Sequence, residues 1–222
     1  MSPRKYKTKR LFYNKWPYKI ECLQQGSSSI MRCGIPAALE WCKGSHSFSG
    51  SFKNCNRAEI TAFIAAISQF ITKDVKIRTE GSHFNIFVKD TALFLEILGI
   101  MKPWIRAITE PGSQEEYNFL VSNKTRKTLC DDIPKGLFKY RIYFRSRMKP
   151  DARQSFYNWT QRYEDKFDLA GSTTKWLTGD RPYIQDPFIY VKDDKILSMA
   201  GLFLGDNIKI IEEFIPRTQI NT

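Results

Sequence analysis

The chain has 222 residues, 42% hydrophobic and 14% aromatic, which suits one large core or two of about 100 residues each and is too apolar for a disordered chain. Lys and Arg number 35 against 23 Asp and Glu, a net charge of +12 that favours a polyanionic partner, nucleic acid first and an anionic membrane surface second. No run approaches 18 consecutive apolar residues, so no transmembrane helix is expected.

Residues 1–10, "MSPRKYKTKR", read as a basic arm in which Arg4, Lys5, Lys7, Lys9 and Arg10 meet phosphates without sequence preference. No apolar segment follows, because "LFYNKWPYKI" is broken by Asn, Lys and Pro. A secretory signal is therefore not expected, and the protein reads as intracellular. In "FYNKWPYKIECLQQ", Tyr18, Ile20 and Cys22 alternate with Lys19 and Glu21, as in a half-buried strand. Residues 26–55 form a Gly/Ser-rich insertion with room for one short helix, "PAALEWC".

A helix is predicted over "NRAEITAFIAAISQFITKD". Asn56 and Glu59 have the spacing of a capping box, and Ile60, Phe63, Ile64, Ile67 and Ile71 share one face. "VKIRTE" and "HFNIFVK" predict two strands around Gly81-Ser82. Asp90 then caps a helix over "TALFLEILGIM", and "WIRAITE" is a further strand. This is the strand–helix–strand–strand–helix–strand order of a ferredoxin-like unit, spanning 11–111. Residues 112–138 read as a linker.

The order then repeats over 139–217. "KYRIYFRSRM" alternates as a strand, and Pro150-Asp151 opens a helix over "ARQSFYNWTQRYEDKF". "STTKWLTG" and "YIQDPFIYVK" read as strands around Gly179-Asp180, Asp193 caps "DKILSMAGLFLG", and "NIKIIEEFI" closes the unit. Val-Lys-Asp recurs at Val88 and Val191, 103 residues apart, each time between an aromatic strand and an apolar helix. The fold class expected is α+β, two tandem ferredoxin-like units with a basic N-terminal arm.

Such a unit packs its helices on one sheet face. Period two sends Tyr140, Ile142, Phe144, Ile189 and Val191 toward the helices. Arg141, Tyr143, Arg145, Arg147, Phe188, Tyr190 and Lys192 take the other face, a basic platform with aromatic rings to stack bases and cations to meet phosphates. Phe87 and Lys89 are the corresponding residues of the first unit.

"DPFIYVKD" resembles the third-strand octamer of the RNA recognition motif, where two aromatics one residue apart precede a valine. Phe188 and Tyr190 stand at the aromatic positions and Val191 at the valine. Asp186 and Pro187 replace the family's leading basic residue and glycine, and Asp193 its last aromatic. The resemblance implies base stacking by Phe188 and Tyr190, and RNA or single-stranded nucleic acid as partner.

Catalysis finds less support. The tandem arrangement is also similar to that of CRISPR repeat-processing endoribonucleases. By that resemblance His46, beside Lys43 in the Gly/Ser loop, would serve metal-free RNA cleavage. Cys33, Cys42, His46 and Cys55 lack the Cys-x-x-Cys pair of a structural zinc site, so neither metal nor cofactor is expected and the five cysteines read as reduced thiols. A viral nucleoprotein or coat protein, and self-association, are the remaining readings of a basic arm on a compact fold. The primary expectation is a non-catalytic nucleic-acid-binding protein without a membrane partner.

Overall fold

The computed structural model describes residues 2–45, 52, 54–123 and 126–220. The chain divides into two compact units, Met1–Val121 and Ser122–Thr222.

Unit 1 runs β1 (Arg4–Lys7), β2 (Tyr18–Leu23), α1 (Ser27–Cys33), α2 (Ile35–Cys42), α3 (Arg57–Ser68), β3 (Val75–Glu80), β4 (His83–Val88), α4 (Thr91–Met101) and β5 (Ile105–Glu110), with α5 (Gln114–Ser122) at its end. The sheet order is β1-β5-β2-β4-β3. Without β1 this is the ferredoxin-like order, the first and third strands of the unit lying side by side at the centre. Tyr18, Ile20 and Cys22 of β2 and Phe84, Ile86 and Val88 of β4 are buried with Ile60, Phe63 and Ile67 of α3 and Phe94 and Ile97 of α4. The helices start where the sequence supplies caps. Asn56 Oδ1 accepts from the backbone N–H of Ala58 and Glu59 (2.9 and 3.3 Å), and Asp90 Oδ1 from that of Leu93 (2.9 Å). Gly26, with φ 84°, turns β2 into α1 against the core, where a Cβ would lie 2.9 Å from Cys55 Sγ.

Unit 2 runs β6 (Lys127–Cys130), β7 (Tyr140–Phe144), α6 (Pro150–Thr160), β8 (Phe167–Leu169), α7 (Gly171–Leu177), β9 (Phe188–Val191), α8 (Asp194–Leu204) and β10 (Ile208–Pro216). Its order, β6-β10-β7-β9-β8, repeats that of unit 1 strand for strand. In both sheets the added first strand runs parallel to the last one. Tyr140, Ile142, Phe144, Ile189 and Val191 form the core with Phe156, Trp176, Ile196 and Ala200, as the alternation predicts.

The correspondence between the two units extends to individual residue pairs. Val88 pairs with Tyr18, and Val191, 103 residues on, with Tyr140. Tyr18 Oη shares a hydrogen bond with Thr91 Oγ1 (2.8 Å), and Tyr140 Oη donates to Asp194, 103 residues after Thr91. Asp90 and Asp193 cap α4 and α8 through the same atom, to the third residue on.

Four expectations need correction. Residues 4–7 are not a free arm but an edge strand, because the β5 backbone offers an unoccupied ladder. Arg4 to Lys7 pair with Ala107 to Glu110 while all four side chains stay exposed. The segment 112–138 is more than a linker, since it holds α5 and β6. The 26–55 insertion carries two helices, α1 and α2. "STTKWLTG" is helical: Thr173, Trp176 and Leu177 are buried at helical spacing, and the Thr174 and Thr178 hydroxyls bond back to the carbonyls of Ala170 and Thr174. The strand expected there is the short β8, at the end of what read as one long helix.

Among the described residues no helix is long and apolar enough to cross a membrane.

Candidate nucleic-acid interface

The centre of the unit 2 sheet pairs Arg141 with Tyr190 and Tyr143 with Phe188. On its other side β7 pairs Arg141 with Glu212 of β10. All five residues point away from the helices, together with Phe214, two residues beyond Glu212. The rings form a continuous cluster: Tyr143 to Phe188 is 5.6 Å between centroids, Phe188 to Tyr190 5.4 Å, and Tyr190 to Phe214 6.0 Å. Phe138, just before β7, extends it, 6.2 Å from Tyr190.

The Arg141 guanidinium lies within this cluster, 5.0 Å from the Tyr143 ring, 5.3 Å from Phe188, 5.7 Å from Tyr190 and 5.3 Å from Phe214. Its Nε donates to Glu212 Oε2 at 2.9 Å, and its Nη2 donates to the same oxygen. The Thr128 hydroxyl of β6 donates to Glu212 Oε1. Glu212 is only 2% exposed, so these donors replace its water. Burial works against the Arg141 charge, but the hydrogen bonds and attraction of Glu212 outweigh it and lift its pKa above the ordinary arginine value. Arg141 is therefore a neutralised, fixed cation that braces the rings.

The cations expected around these rings are spread differently. Arg145 and Arg147 are exposed in the turn after β7 ends at Phe144, beyond the strand alternation. Lys192 follows β9 and its Nζ is 3.9 Å from Asp165 Oδ2. Arg4, Lys5 and Lys7 lie on β1, with Lys5 Nζ 3.9 Å from Glu110, and Lys9 and Arg10 follow, exposed. Lys89 is exposed at the end of β4. Phe87 is 4% exposed, beneath the rings of Phe12 (5.3 Å) and Tyr13 (5.0 Å). The structure thus brings Arg141, Tyr143, Phe188 and Tyr190 onto one face and covers Phe87.

Comparison with protein families, with curated proteins and with solved structures finds no match for this chain.

Sequence reasoning missed Glu212, Thr128, Phe138 and Phe214. The sequence does contain a signal for Glu212, a carboxylate inside an apolar strand. However, the register shift between Ile208 and Ile210 breaks the alternation that would assign its face. His46 lies outside the described residues, and the zinc set that includes it goes with it. Among the described residues no group of three or more His, Cys, Asp or Glu is placed to hold a metal. Cys22 is buried on the core side of β2, and burial pushes its thiol up to about 12.

Proposed function

We propose that unit 2 binds RNA or another single-stranded nucleic acid on its helix-free sheet face, without catalysing a reaction. One observation carries the reading: Tyr143, Phe188 and Tyr190, each part-exposed, are gathered around a guanidinium whose charge Glu212 already balances. Rings held this way offer π-faces to bases without demanding a sequence, each stacked base being worth about 1–3 kcal/mol. Arg145 and Arg147 at the strand end supply exposed charge for the phosphates, and the excess of Lys and Arg over the whole chain draws the polyanion in.

Fluorescence anisotropy with labelled single-stranded RNA, single-stranded DNA and duplex RNA, each at several salt concentrations, tests it. Tight binding of the single strands, weaker binding of the duplex and recovery of intact RNA on a gel are expected. Shortened RNA would replace this reading with a nuclease, and no binding even at low salt would end it.

A further inference from the structure

The corresponding face of unit 1 is not bare. Two transverse rows of its sheet can be followed strand by strand. One runs Tyr6, Thr109, Lys19, Phe87, Lys76; the next runs Arg4, Ala107, Glu21, Asn85, Arg78. All ten residues point away from the helices, because their neighbours along β2 and β4 fill the core.

Over this face lies the segment joining β1 to β2. Thr8 Oγ1 donates to the Pro17 carbonyl at 2.7 Å, and the Phe12 N–H to the Trp16 carbonyl at 2.8 Å, closing a compact loop. Tyr13 and Asn14 turn at its tip with φ 52° and 57°, a conformation residues with a Cβ seldom adopt. That turn sets the Tyr13 ring edge-on against Phe87. Arg78 Nη1 donates to Tyr13 Oη at 3.2 Å, and Lys76 Nζ lies 4.3 Å from the ring centroid. Tyr13 remains 46% exposed and Tyr6 51%. The loop therefore buries one ring, Phe87, and presents another in its place.

We infer that this face of unit 1 is a second binding surface for single-stranded nucleic acid, with Tyr13 and Tyr6 as base-stacking rings and Arg4, Lys76 and Arg78 as phosphate ligands. The inference rests on the nucleic-acid reading of the chain but not on the unit 2 ring cluster. Charge complementarity selects the occupant. The two rows and the loop tip carry Arg4, Lys19, Lys76 and Arg78 against Glu21, which Lys19 meets at 3.2 Å. Glu80, next along β3, is held at 2.5 Å by Arg78. Tyr6 and Phe87 are three strand spacings apart, about 14 Å, so the rings suit successive parts of an extended strand rather than one small ligand. Exposed tyrosines flanked by cations are the combination that such strands use, whereas an apolar protein partner would leave these cations desolvated.

The full chain, photo-cross-linked to a thiouridine-substituted single-stranded RNA and mapped by peptide, tests the inference. Cross-links at the peptides bearing Tyr6 or Tyr13 are expected, whether or not β7 and β9 are also labelled. Labelling confined to β7 and β9 would overturn the unit 1 surface and leave the unit 2 face standing; no labelling of either would overturn both. In parallel, Tyr6→Ala with Tyr13→Leu, the leucine keeping apolar cover over Phe87, should lower the affinity for a long oligouridine at least about tenfold. Unchanged affinity in a folded double variant would likewise overturn it.

Discussion

Phe87 and Tyr190 occupy the same place in their sheets: each directly precedes the valine that pairs with Tyr18 or Tyr140, and the two are 103 residues apart. Their surroundings differ. Phe87 is sealed under Phe12 and Tyr13, whereas Tyr190 stays part-exposed between Phe188 and Phe214. One equivalent position is core in the first unit and surface in the second. Phe87→Ala should therefore cost about 3 kcal/mol, the range for emptying a buried aromatic site, and Tyr190→Ala clearly less. Urea denaturation of the two variants measures the contrast, and equal losses would mean that Tyr190 is core as well.

Stacking and charge separate in their response to salt. Tyr143→Ala with Tyr190→Ala should weaken single-strand binding by about 2–6 kcal/mol if both rings stack a base, with little change in the dependence of log affinity on log salt. Changing Arg4, Lys5, Lys7, Lys9 and Arg10 together to Gln should do the reverse, reducing the slope by about 0.7 for each phosphate left without its cation. Substitution is the sounder test here, because deleting residues 1–10 would also strip β1 from the edge of β5. Anisotropy titrations at four or more salt concentrations give both quantities. A flattened slope in the ring variant would mean that the two rings hold cations on phosphates as well as stacking bases.

The Arg141–Glu212 pair predicts a stability pattern of its own. Glu212→Ala leaves a guanidinium among four rings with its carboxylate gone and the Thr128 hydroxyl without its acceptor, an expected loss of about 3–5 kcal/mol for unit 2. Arg141→Leu with Glu212→Leu removes both charges and should recover most of that loss, since replacing a buried pair by apolar groups is close to neutral. Chemical denaturation of the two variants reads the difference. A double variant as weak as the single one would mean that the pair itself, rather than the stranded charge, supports the sheet.

Much of this arrangement was legible in the sequence because it is written locally. The alternation Tyr140, Ile142, Phe144 fixes the face of β7, and Asp90 and Asp193 announce their helices by residue type and position. What escaped depends on partners distant in sequence. Arg4–Lys7 carries three cations and no apolar alternation, so only the free edge of β5 makes it a strand. Ser172–Thr178 has β-branched residues that favour a strand, but the helix wins by burying Trp176 and Leu177 together. Glu212 meets Arg141 only because β10 pairs with β7 across about 70 residues of chain, and the loop that hides Phe87 lies 74 and 75 residues before it, at Tyr13 and Phe12.

Of the two tyrosine hydroxyl bonds at the start of the central strands, only the one in unit 2 should respond to acid. Hydrogen bonds from Tyr140 and Lys139 hold the Asp194 carboxyl below its ordinary value. A group whose folded pKa is depressed contributes stability that is present above its unfolded pKa, about 3.9, and is lost as pH falls through the folded one. Asp194→Asn should therefore destabilise the protein at neutral pH, with a deficit that shrinks below about pH 4 and disappears in stronger acid. In unit 1 the same position is Thr91, a neutral partner 2.8 Å from the Tyr18 hydroxyl. Thr91→Val should cost about 1 kcal/mol at every pH in that range, because neither partner changes charge there. Urea midpoints of both variants against the parent, followed from neutral pH down to about pH 3, give the two curves. A deficit for Asp194→Asn that stays constant in acid would mean that its carboxylate charge contributes nothing to the bond with Tyr140.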